Sequence, residues 1–164
     1  MILKIVTVPD PILTKKTELV KKIDQAVLKL VQDMIDTCRK ANGIGLAAPQ
    51  IGKSIRLCVI NLEHLGLAPF PLINPRVIKK SPKQTEMEEG CLSIPGIYGI
   101  VKRPEKIKVK ALNLAGESME FETDGLLSKV IQHEVDHLDG ILITSKIIRR
   151  TDGSETKDRK KLRE

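Results

Sequence analysis

Aromatic side chains are nearly missing from this sequence, which has no tryptophan, one tyrosine and two phenylalanines among its 164 residues. Leucine, isoleucine and valine must therefore fill most of the interior. Long apolar runs are also missing, and none reaches the ~20 residues of a membrane-spanning helix. The N-terminal segment is interrupted by Pro9 and Asp10, too early for a signal peptide. We expect a cytoplasmic protein without a membrane partner, or an organellar one if a transit peptide has been removed.

Cysteines are few and odd in number, which argues against a disulfide framework in a chain without an export signal. Cys38 and Cys58 fall within apolar patterns and are predicted to be small core residues. Cys91 does not fit this pattern, and its role depends on the motifs around it.

Positive charge is in modest excess, with 28 basic and 21 acidic residues and a formal charge of +7. Residues 149–164 hold seven basic and four acidic residues, so they supply +3 of this total. We predict a catalytic domain over residues 1–148 and a basic, flexible tail over residues 149–164. Such a tail would permit weak attraction to ribosomal RNA, whereas DNA is not expected as a partner. The oligomeric state is not indicated by the sequence.

Apolar residues recur with helical spacing between Asp24 and Asn42, which predicts an amphipathic helix with one buried face. Asp24 is the expected N-cap and Gly43 the expected C-terminal stop. A second helix is predicted from Gly125 to about Leu138, capped by Asp124. It is apolar on most sides, so we expect it to be central and buried.

Strands are predicted over residues 55–60, 106–111 and 119–123, with a loop over 62–71 and a turn over 113–117. Strands and helices do not alternate along the chain, as they would in βαβ units. The sequence therefore predicts an α+β fold in which antiparallel strands pack around the central helix.

The predicted central helix carries His133, Glu134 and His137 in an H-E-x-x-H pattern. Residues four apart lie on one helix face, so both imidazoles can reach one metal ion while Glu134 stays beside it. The alternative is two core histidines beside a surface glutamate. That arrangement would place polar groups on an otherwise apolar helix without compensation, so we favour a metal site.

The third metal ligand is not fixed by the residues alone. Ile143 occupies the position at which metzincins have a third histidine, and Glu155 and Glu164 lie in the polar tail. His64 falls in the predicted loop and is expected to be an ordinary exposed histidine. Cys91 is a suitable thiolate ligand, although taken alone it fits a small core cysteine better.

Three segments together resemble the signature motifs of the peptide deformylase family, in the family's order and with similar separations. They are Gly43–Gln50 (GIGLAAPQ), Glu89–Ser93 (EGCLS) and Gln132–His137 (QHEVDH). The segment Pro9–Leu13 is similar too, and the resemblance covers about residues 1–145.

The resemblance implies hydrolysis of the N-formyl group of N-formylmethionyl peptides, with release of formate. Cys91, His133 and His137 would hold one divalent metal ion, Fe(II) in the cell, with Zn, Ni or Co in some preparations. A metal-bound water would attack the formyl carbonyl, with Glu134 as general base and then acid. The Gln50 amide and the Leu92 backbone N–H would stabilise the oxyanion.

The resemblance also implies a substrate-binding set. Its members are Gly45, Ile44, Met87, Glu89, Leu126, Val130 and Tyr98. Tyr98 stands where some relatives carry arginine, and Lys129 stands where many relatives are apolar, near the expected pocket rim. We also expect an Arg103–Asp136 pair to orient the motif helix.

Other functional classes fit less well. Residues 43–48 match a dinucleotide fingerprint and residues 47–54 nearly match a P-loop, but both motifs need a strand before and a helix after them. The predicted order here is the reverse. A zincin-like protease lacks its downstream ligand, and a purely structural zinc site would need a fourth protein ligand.

Overall fold

The computed structural model describes residues 1–161, with side chains described through residue 158. Its helices are α1 (Gln25–Lys40), α2 (Gly125–Leu138) and α3 (Ser154–Lys161). The strands are β1 (Gly45–Ala47), β2 (Leu57–Ile60), β3 (Phe70–Lys80), β4 (Gln84–Cys91), β5 (Ile94–Pro104), β6 (Ile107–Leu112), β7 (Ser118–Thr123) and β8 (Ile147–Thr151). These strands form a five-stranded sheet, β1-β2-β3-β6-β7, and a three-stranded sheet, β4-β5-β8. Their pairings are antiparallel, so the predicted α+β class is confirmed.

The five-stranded sheet is covered by α1 on one face and by α2 on the other. Strand β2 shows this division, because Leu57 and Val59 pack with α1 whereas Cys58 and Ile60 pack with α2. Alternate side chains of a strand point to opposite faces, so a fully apolar strand fits a sheet that is buried on both sides. Cys38 and Cys58 are fully buried in these two clusters, as predicted.

Helix α2 lies at the centre, between the five-stranded sheet and the β4–β5 hairpin. Val130, Ile131 and Leu138 pack on the sheet. On another side, Lys129 and Gln132 donate hydrogen bonds to backbone carbonyls of the hairpin, including that of Pro104. The helix is thus buried on most sides, which agrees with its apolar periodicity.

The ends of the two predicted helices differ from expectation in detail. The Asp24 side chain accepts a hydrogen bond from the Val27 N–H and caps α1 as predicted. At the other end Asn42, not Gly43, adopts the left-handed conformation, with φ of 54°, while the Gly43 N–H bonds to the Cys38 carbonyl. Asp124 occupies the N-cap position of α2 as predicted, but its side chain makes no capping hydrogen bond.

The long strands β3, β4 and β5 were not predicted from the sequence, and the predicted loop over residues 62–71 is shorter than expected because β3 begins at Phe70. Strand β3 contains Pro71 and Pro75, and its pairing with β6 is irregular between Ile73 and Arg76. Strand β4 is rich in glutamate, and β5 contains Pro95, Gly96 and Gly99. Such residues disfavour strands locally, so cross-strand pairing rather than propensity forms this hairpin.

The C-terminal segment contains β8 and α3. Strand β8 pairs with β5, with Arg149 opposite Ile100 and Thr151 opposite Tyr98. The predicted domain boundary after residue 148 therefore falls inside a strand. The proposed flexibility of residues 149–164 stays a prediction, and residues 162–164 lie outside the described part of the chain. Within the described residues, no helix has the length and apolar character needed to span a membrane.

Candidate metal centre and active site

Three side chains that ligate metals well converge between α2 and the end of β4. The donor atoms of Cys91, His133 and His137 all lie within 4.8 Å of one another, and Cys91 Sγ is 3.2 Å from His137 Nε2. A thiolate and two imidazoles suit Fe(II), Zn, Ni or Co, and three protein ligands leave a coordination position open. The residues present therefore fit a catalytic metal site. The two histidines are predicted by the H-E-x-x-H pattern and Cys91 by the family resemblance.

The orientation of His133 is set by a buried chain of charged groups. Its Nδ1 lies 2.8 Å from Glu89 Oε1. A carboxylate can only accept here, so the Nδ1–H donates and Nε2 is left for the metal. Arg103 holds the same carboxylate through Nε at 2.6 Å and Nη2 at 2.9 Å, and its Nη1 lies 2.7 Å from Asp136 Oδ2. The predicted Arg103–Asp136 pair is confirmed, and Glu89 joins it to the metal centre.

These contacts add to the role expected for Glu89. Burial would raise the pKa of Glu89, but hydrogen bonds from Arg103 and His133 outweigh it and lower this pKa to about 2. Burial acts against the charge on Arg103 as well, yet its two carboxylate partners raise the Arg103 pKa. Both oxygens are held inside the protein, so the contacts of Glu89 add a support of His133 to its place in the lining of the cavity. Its expected part in substrate binding stays a prediction.

The two histidines differ in electrostatic setting. Burial lowers the pKa of His137 well below its ordinary value, so its imidazole is neutral, the form that binds metals. Burial acts in the same direction on His133, but its hydrogen bonds with Cys91 and Glu89 raise the pKa well above the ordinary value. Metal binding at His133 would therefore release a proton.

Glu134 is the buried carboxylate beside the three ligands, and its side chain is enclosed. It is 3% exposed, and burial raises its pKa to about 7. Among the described residues Glu134 Oε2 has no hydrogen-bond partner, which suits a group that exchanges a proton with water or substrate. A Cβ placed on Gly45 would lie 2.5 Å from Glu134 Oε1, so this position needs glycine for the close approach of β1 to the carboxylate.

Gln50 has a fixed amide orientation. The residue is 2% exposed, and its Oε1 accepts a hydrogen bond from the Ala47 N–H at 2.9 Å. Its Nε2 donates to Ser93 Oγ at 3.1 Å and lies 3.6 Å from Cys91 Sγ. The donor end of the amide thus points toward the metal centre. Ser93 was missed by sequence reasoning, because its hydroxyl meets Gln50 only after the chain has folded.

A cavity of about 260 Å³ opens over this centre. Every predicted site residue except His137, which is buried behind the cavity, contributes to its lining. These lining residues are Ile44, Gly45, Gln50, Met87, Glu89, Cys91, Leu92, Tyr98, Leu126, Val130, His133 and Glu134. The structure therefore brings the predicted set together in one place. Leu92 lies in the turn between β4 and β5, directly after Cys91.

Several lining residues were not predicted, and Thr156 of α3 is the most distant in sequence. Its N–H donates to Glu88 Oε1 at 2.9 Å, which fixes the start of α3 on β4. Tyr98 packs so closely that a Cβ on Gly90 or Gly153 would lie within 2.7 Å of its ring. Lys129 also lines the cavity, but its Nζ donates to the carbonyls of Thr85 and Arg103 and is thereby held inside the protein.

The competing motifs have no supporting structure. Residues 45–51 form β1 and a short 3₁₀ helix, preceded by α1, so the strand–loop–helix order of a nucleotide-binding motif is not formed. His64 lies in another 3₁₀ helix, Glu63–Leu65, and is half-buried rather than exposed. It does not belong to the ligand group found among the described residues.

Comparison with known proteins identifies the family. The family model described as polypeptide deformylase matches residues 2–152. This chain belongs to the polypeptide deformylase family. It is 46% identical to the peptide deformylase of Dictyoglomus thermophilum, over 96% of this chain and 100% of that relative. The crystal structure of peptide deformylase from Thermotoga maritima superposes with a TM-score of 0.87 at 40% identity, covering 91% of this chain and 99% of that one.

A third deformylase comes from Ehrlichia chaffeensis and was solved in complex with actinonin. It is 38% identical, with a TM-score of 0.84, and the match covers 90% of each chain. Family membership confirms the predicted activity: the protein is a deformylase hydrolase that removes the N-formyl group from nascent polypeptides. A metal site at Cys91, His133 and His137 agrees with the metal dependence of the deformylase family.

Proposed function

We propose that Cys91, His133 and His137 hold one divalent metal ion and that Glu134 moves the protons of the reaction. The observation that carries this proposal is the convergence of the three ligand atoms with the buried Glu134 at one end of the cavity. The metal would polarise the formyl carbonyl and lower the pKa of the attacking water. The other roles belong to side chains and backbone groups of this chain.

Glu134 accepts a proton from the water that attacks the formyl carbon, then donates it to the departing methionine nitrogen. A pKa of about 7, raised by burial, suits both directions of transfer, because the group neither holds nor loses its proton too strongly near neutral pH. The products are formate and a peptide with a free methionine amine. Proton transfer by a positioned group contributes about 10²–10⁴-fold to such a rate.

Gln50 and Leu92 stabilise the oxyanion that forms on the former carbonyl oxygen. The hydrogen bond from the Ala47 N–H fixes Gln50 Oε1, so Nε2 presents its N–H groups toward Ser93 and Cys91. Such a preset donor does not need to reorient during the reaction. The Leu92 backbone N–H is assigned as the second donor because Leu92 adjoins Cys91 in the β4–β5 turn.

The substrate methionine side chain occupies the apolar wall formed by Ile44, Met87, Leu126 and Val130. Gly45 offers its backbone to the peptide, and Tyr98 lies further along the cavity. A relative from Acinetobacter baumannii, 32% identical with a TM-score of 0.84 over 90% of this chain and 99% of that one, was solved with Met-Ala-Ser bound. That bound tripeptide supports the proposal that the product in this site is a peptide that begins with methionine.

The donor set accepts Fe(II), Zn, Ni or Co. We assign Fe(II) as the metal in the cell, as the resemblance to the deformylase family implies. We also assign a cytoplasmic location and association with ribosomes through the basic C-terminal segment. Deleting residues 153–164 should weaken co-sedimentation with ribosomes. Unchanged co-sedimentation would contradict the assigned role of this segment.

The test of the catalytic roles is formate release from formyl-Met-Ala-Ser by protein purified anaerobically and loaded with Fe(II). Glu134→Gln preserves size and should reduce release by about 10²-fold or more. A matched control is Glu117→Gln, which changes an exposed carboxylate outside the cavity and should leave release unchanged. Equal release by the parent and Glu134→Gln would contradict the proposed role of Glu134.

A further inference from the structure

A second cavity, which we name the rear cleft, lies on the opposite side of α2 from the metal centre. Its volume is about 230 Å³, far above the ~10–15 Å³ that one water molecule needs. At about 100° per residue, Gln132, Val135 and Asp136 each lie more than about 100° from the mean direction of the side chains that face the metal centre. The rear cleft is lined by Arg56, Arg76, Val77, Lys80, Lys102, Arg103, Pro104, Gln132, Val135, Asp136, Asp139 and Lys146. None of these residues lines the first cavity.

The rear cleft is strongly basic. Six of its lining side chains are cationic and two are carboxylates. Arg103 also pairs with the buried Glu89, so a surplus of three positive charges is left. The carboxylates are already engaged. Arg56 Nη1 lies 2.7 Å from Asp139, and Asp136 is held by Arg103 at 2.7 Å and Lys146 at 3.4 Å. They therefore cannot neutralise the remaining cations.

Three cations of the rear cleft have no ion-pair partner within the described part of the chain. They are Arg76 and Lys80 of β3 and Lys102 of β5, and all three are exposed. Two lysines of the neighbouring strand β6, by contrast, are paired across strands. Lys106 lies 3.3 Å from Glu122, and Lys108 lies 3.6 Å from Glu120. These three cations line one concave site together, so a single anion can meet several of them there.

We propose that the rear cleft binds backbone phosphates of RNA. Arginine and lysine side chains that converge from β3, β5 and the neighbouring loops suit phosphate oxygens, which accept several charge-assisted hydrogen bonds. Among the described residues no aromatic side chain lines the cleft, so recognition rests on phosphates rather than on stacked bases and is independent of sequence. The choice of RNA rests on the proposed function, because nascent polypeptides emerge from an RNA-rich ribosome.

The rear cleft can be tested apart from catalysis because it shares no lining residue with the active site. The test variant is Arg76→Ala/Lys80→Ala/Lys102→Ala. The matched control is Lys16→Ala/Lys21→Ala/Lys22→Ala, which removes the same net charge from exposed residues outside the cleft. Binding of a short fluorescein-labelled oligouridine is followed by anisotropy between about 50 and about 200 mM KCl, the range in which phosphate contacts weaken steeply.

We expect the test variant to bind oligouridine at least about tenfold more weakly than the parent. Its log–log salt slope should be shallower by about 2, since each single-strand phosphate contact contributes about 0.7. The control triple variant should bind within about twofold of the parent. Formate release from formyl-Met-Ala-Ser should be equal in all three proteins, since none of the six residues lies in the catalytic site.

Equal loss of RNA binding in both triple variants would overturn the proposal, because net charge alone would then explain the binding. Equal binding by the parent and the test variant would overturn it too. A poly-glutamate peptide is the second probe. Binding of this peptide but not of RNA through Arg76, Lys80 and Lys102 would assign the cleft to an acidic protein partner instead. Absence of formate release from every preparation would contradict the proposed catalytic roles, independently of the RNA result.

Discussion

Single residues at the metal centre are constrained by close approach as much as by chemistry. Gly45 is the clearest case, since its backbone in β1 leaves no space for a side chain beside Glu134. A methyl group there must displace the Glu134 carboxylate, to which we assign the proton transfers of the reaction. The sequence alone does not reveal this requirement, because Gly45 and Glu134 are 89 positions apart along the chain.

Gly45→Ala should therefore lower kcat by about tenfold or more, because displacement of about 1 Å at a catalytic group is enough to cost that much. The measurement is steady-state formate release with metal content checked in each preparation. Gly66→Ala is the control, since Gly66 has φ of 80° but nothing near its Cβ position. That change should cost about 1 kcal/mol of stability and leave kcat intact. Equal kcat for Gly45→Ala and the parent would contradict the steric argument.

The metal ligands differ in how well local sequence patterns predict them. His133, Glu134 and His137 lie within five residues, so helical periodicity alone places them together. Cys91 is 42 residues before His133, and nothing local distinguishes it from a core cysteine. It was predicted from the family resemblance, and so was Gln50. Such contacts depend on the fold, which local patterns do not encode.

At the scale of elements, α2 is positioned against the β4–β5 hairpin by buried charges rather than by apolar packing alone. Arg103 of β5 connects Glu89 of β4 with Asp136 of α2, and Glu89 orients His133. A ligand is thus held by a partner that is itself held by an ion pair. Loss of such supporting contacts typically lowers metal affinity by about 10–100-fold.

Asp136→Asn tests this chain of contacts without removing a ligand. Since the neutral amide attracts Arg103 less, Glu89 and His133 should be held less firmly. Zinc affinity, measured by competition with a chelator, should fall by about tenfold. Asp139→Asn is the matched control, because Asp139 follows α2 and pairs with Arg56, which does not contact the metal centre. Unchanged zinc affinity in Asp136→Asn would contradict the orienting role.

Elements with strong local signals were predicted and the others were not. Helices α1 and α2 and strands β2, β6 and β7 follow clear apolar periodicity, and the Asn113 turn joins the last two. Strands β4 and β5 carry charged residues, prolines and glycines, whose local preferences indicate loops rather than strands. Their pairing depends on the hairpin as a whole, including the salt bridges of Arg103.

At the scale of the whole molecule, the buried contacts of Glu89 with Arg103 and His133 make the free energy of unfolding depend on pH in the acidic range. The pKa of Glu89 is lowered from 4.5 to about 2 in the folded protein by Arg103 and His133, against the opposing effect of burial. A carboxylate whose pKa is lower in the folded protein than in the unfolded chain stabilises the fold. This stabilisation is complete at pH values above the unfolded-state pKa and is lost as the pH falls through the folded-state pKa. The pH window of this loss therefore runs from about 4.5 down to about 2.

The comparison that isolates this effect is urea unfolding of the metal-free parent and Glu89→Gln at several pH values. The difference in free energy of unfolding between them should be constant above about pH 4.5. It should shrink by about 3 kcal/mol as the pH approaches 2, because a tenfold change in a proton-binding constant corresponds to about 1.4 kcal/mol. A difference that does not change with pH would contradict the assigned depression of the Glu89 pKa.

The C-terminal segment is part of the wall of the active site, although composition alone suggested a solvated tail. Strand β8 extends the sheet beside β5, Gly153 packs on the Tyr98 ring, and the Thr156 N–H binds the buried Glu88 carboxylate. Removing α3 would expose Glu88 and open the cavity beside Thr156. The metal ligands and Glu134 belong to other elements and would stay in place.

Truncation after Asp152 should therefore raise KM for formyl-Met-Ala-Ser several-fold and change kcat by less than about twofold. The reason is that the contacts removed bind the substrate and the transition state equally. Thr156→Ala keeps the backbone N–H that binds Glu88, so its KM should stay near that of the parent. A fall in kcat at unchanged KM would instead mean that α3 supports the catalytic groups themselves. The boundary of the catalytic unit would then lie beyond Asp152, since the chemistry would depend on residues that follow it.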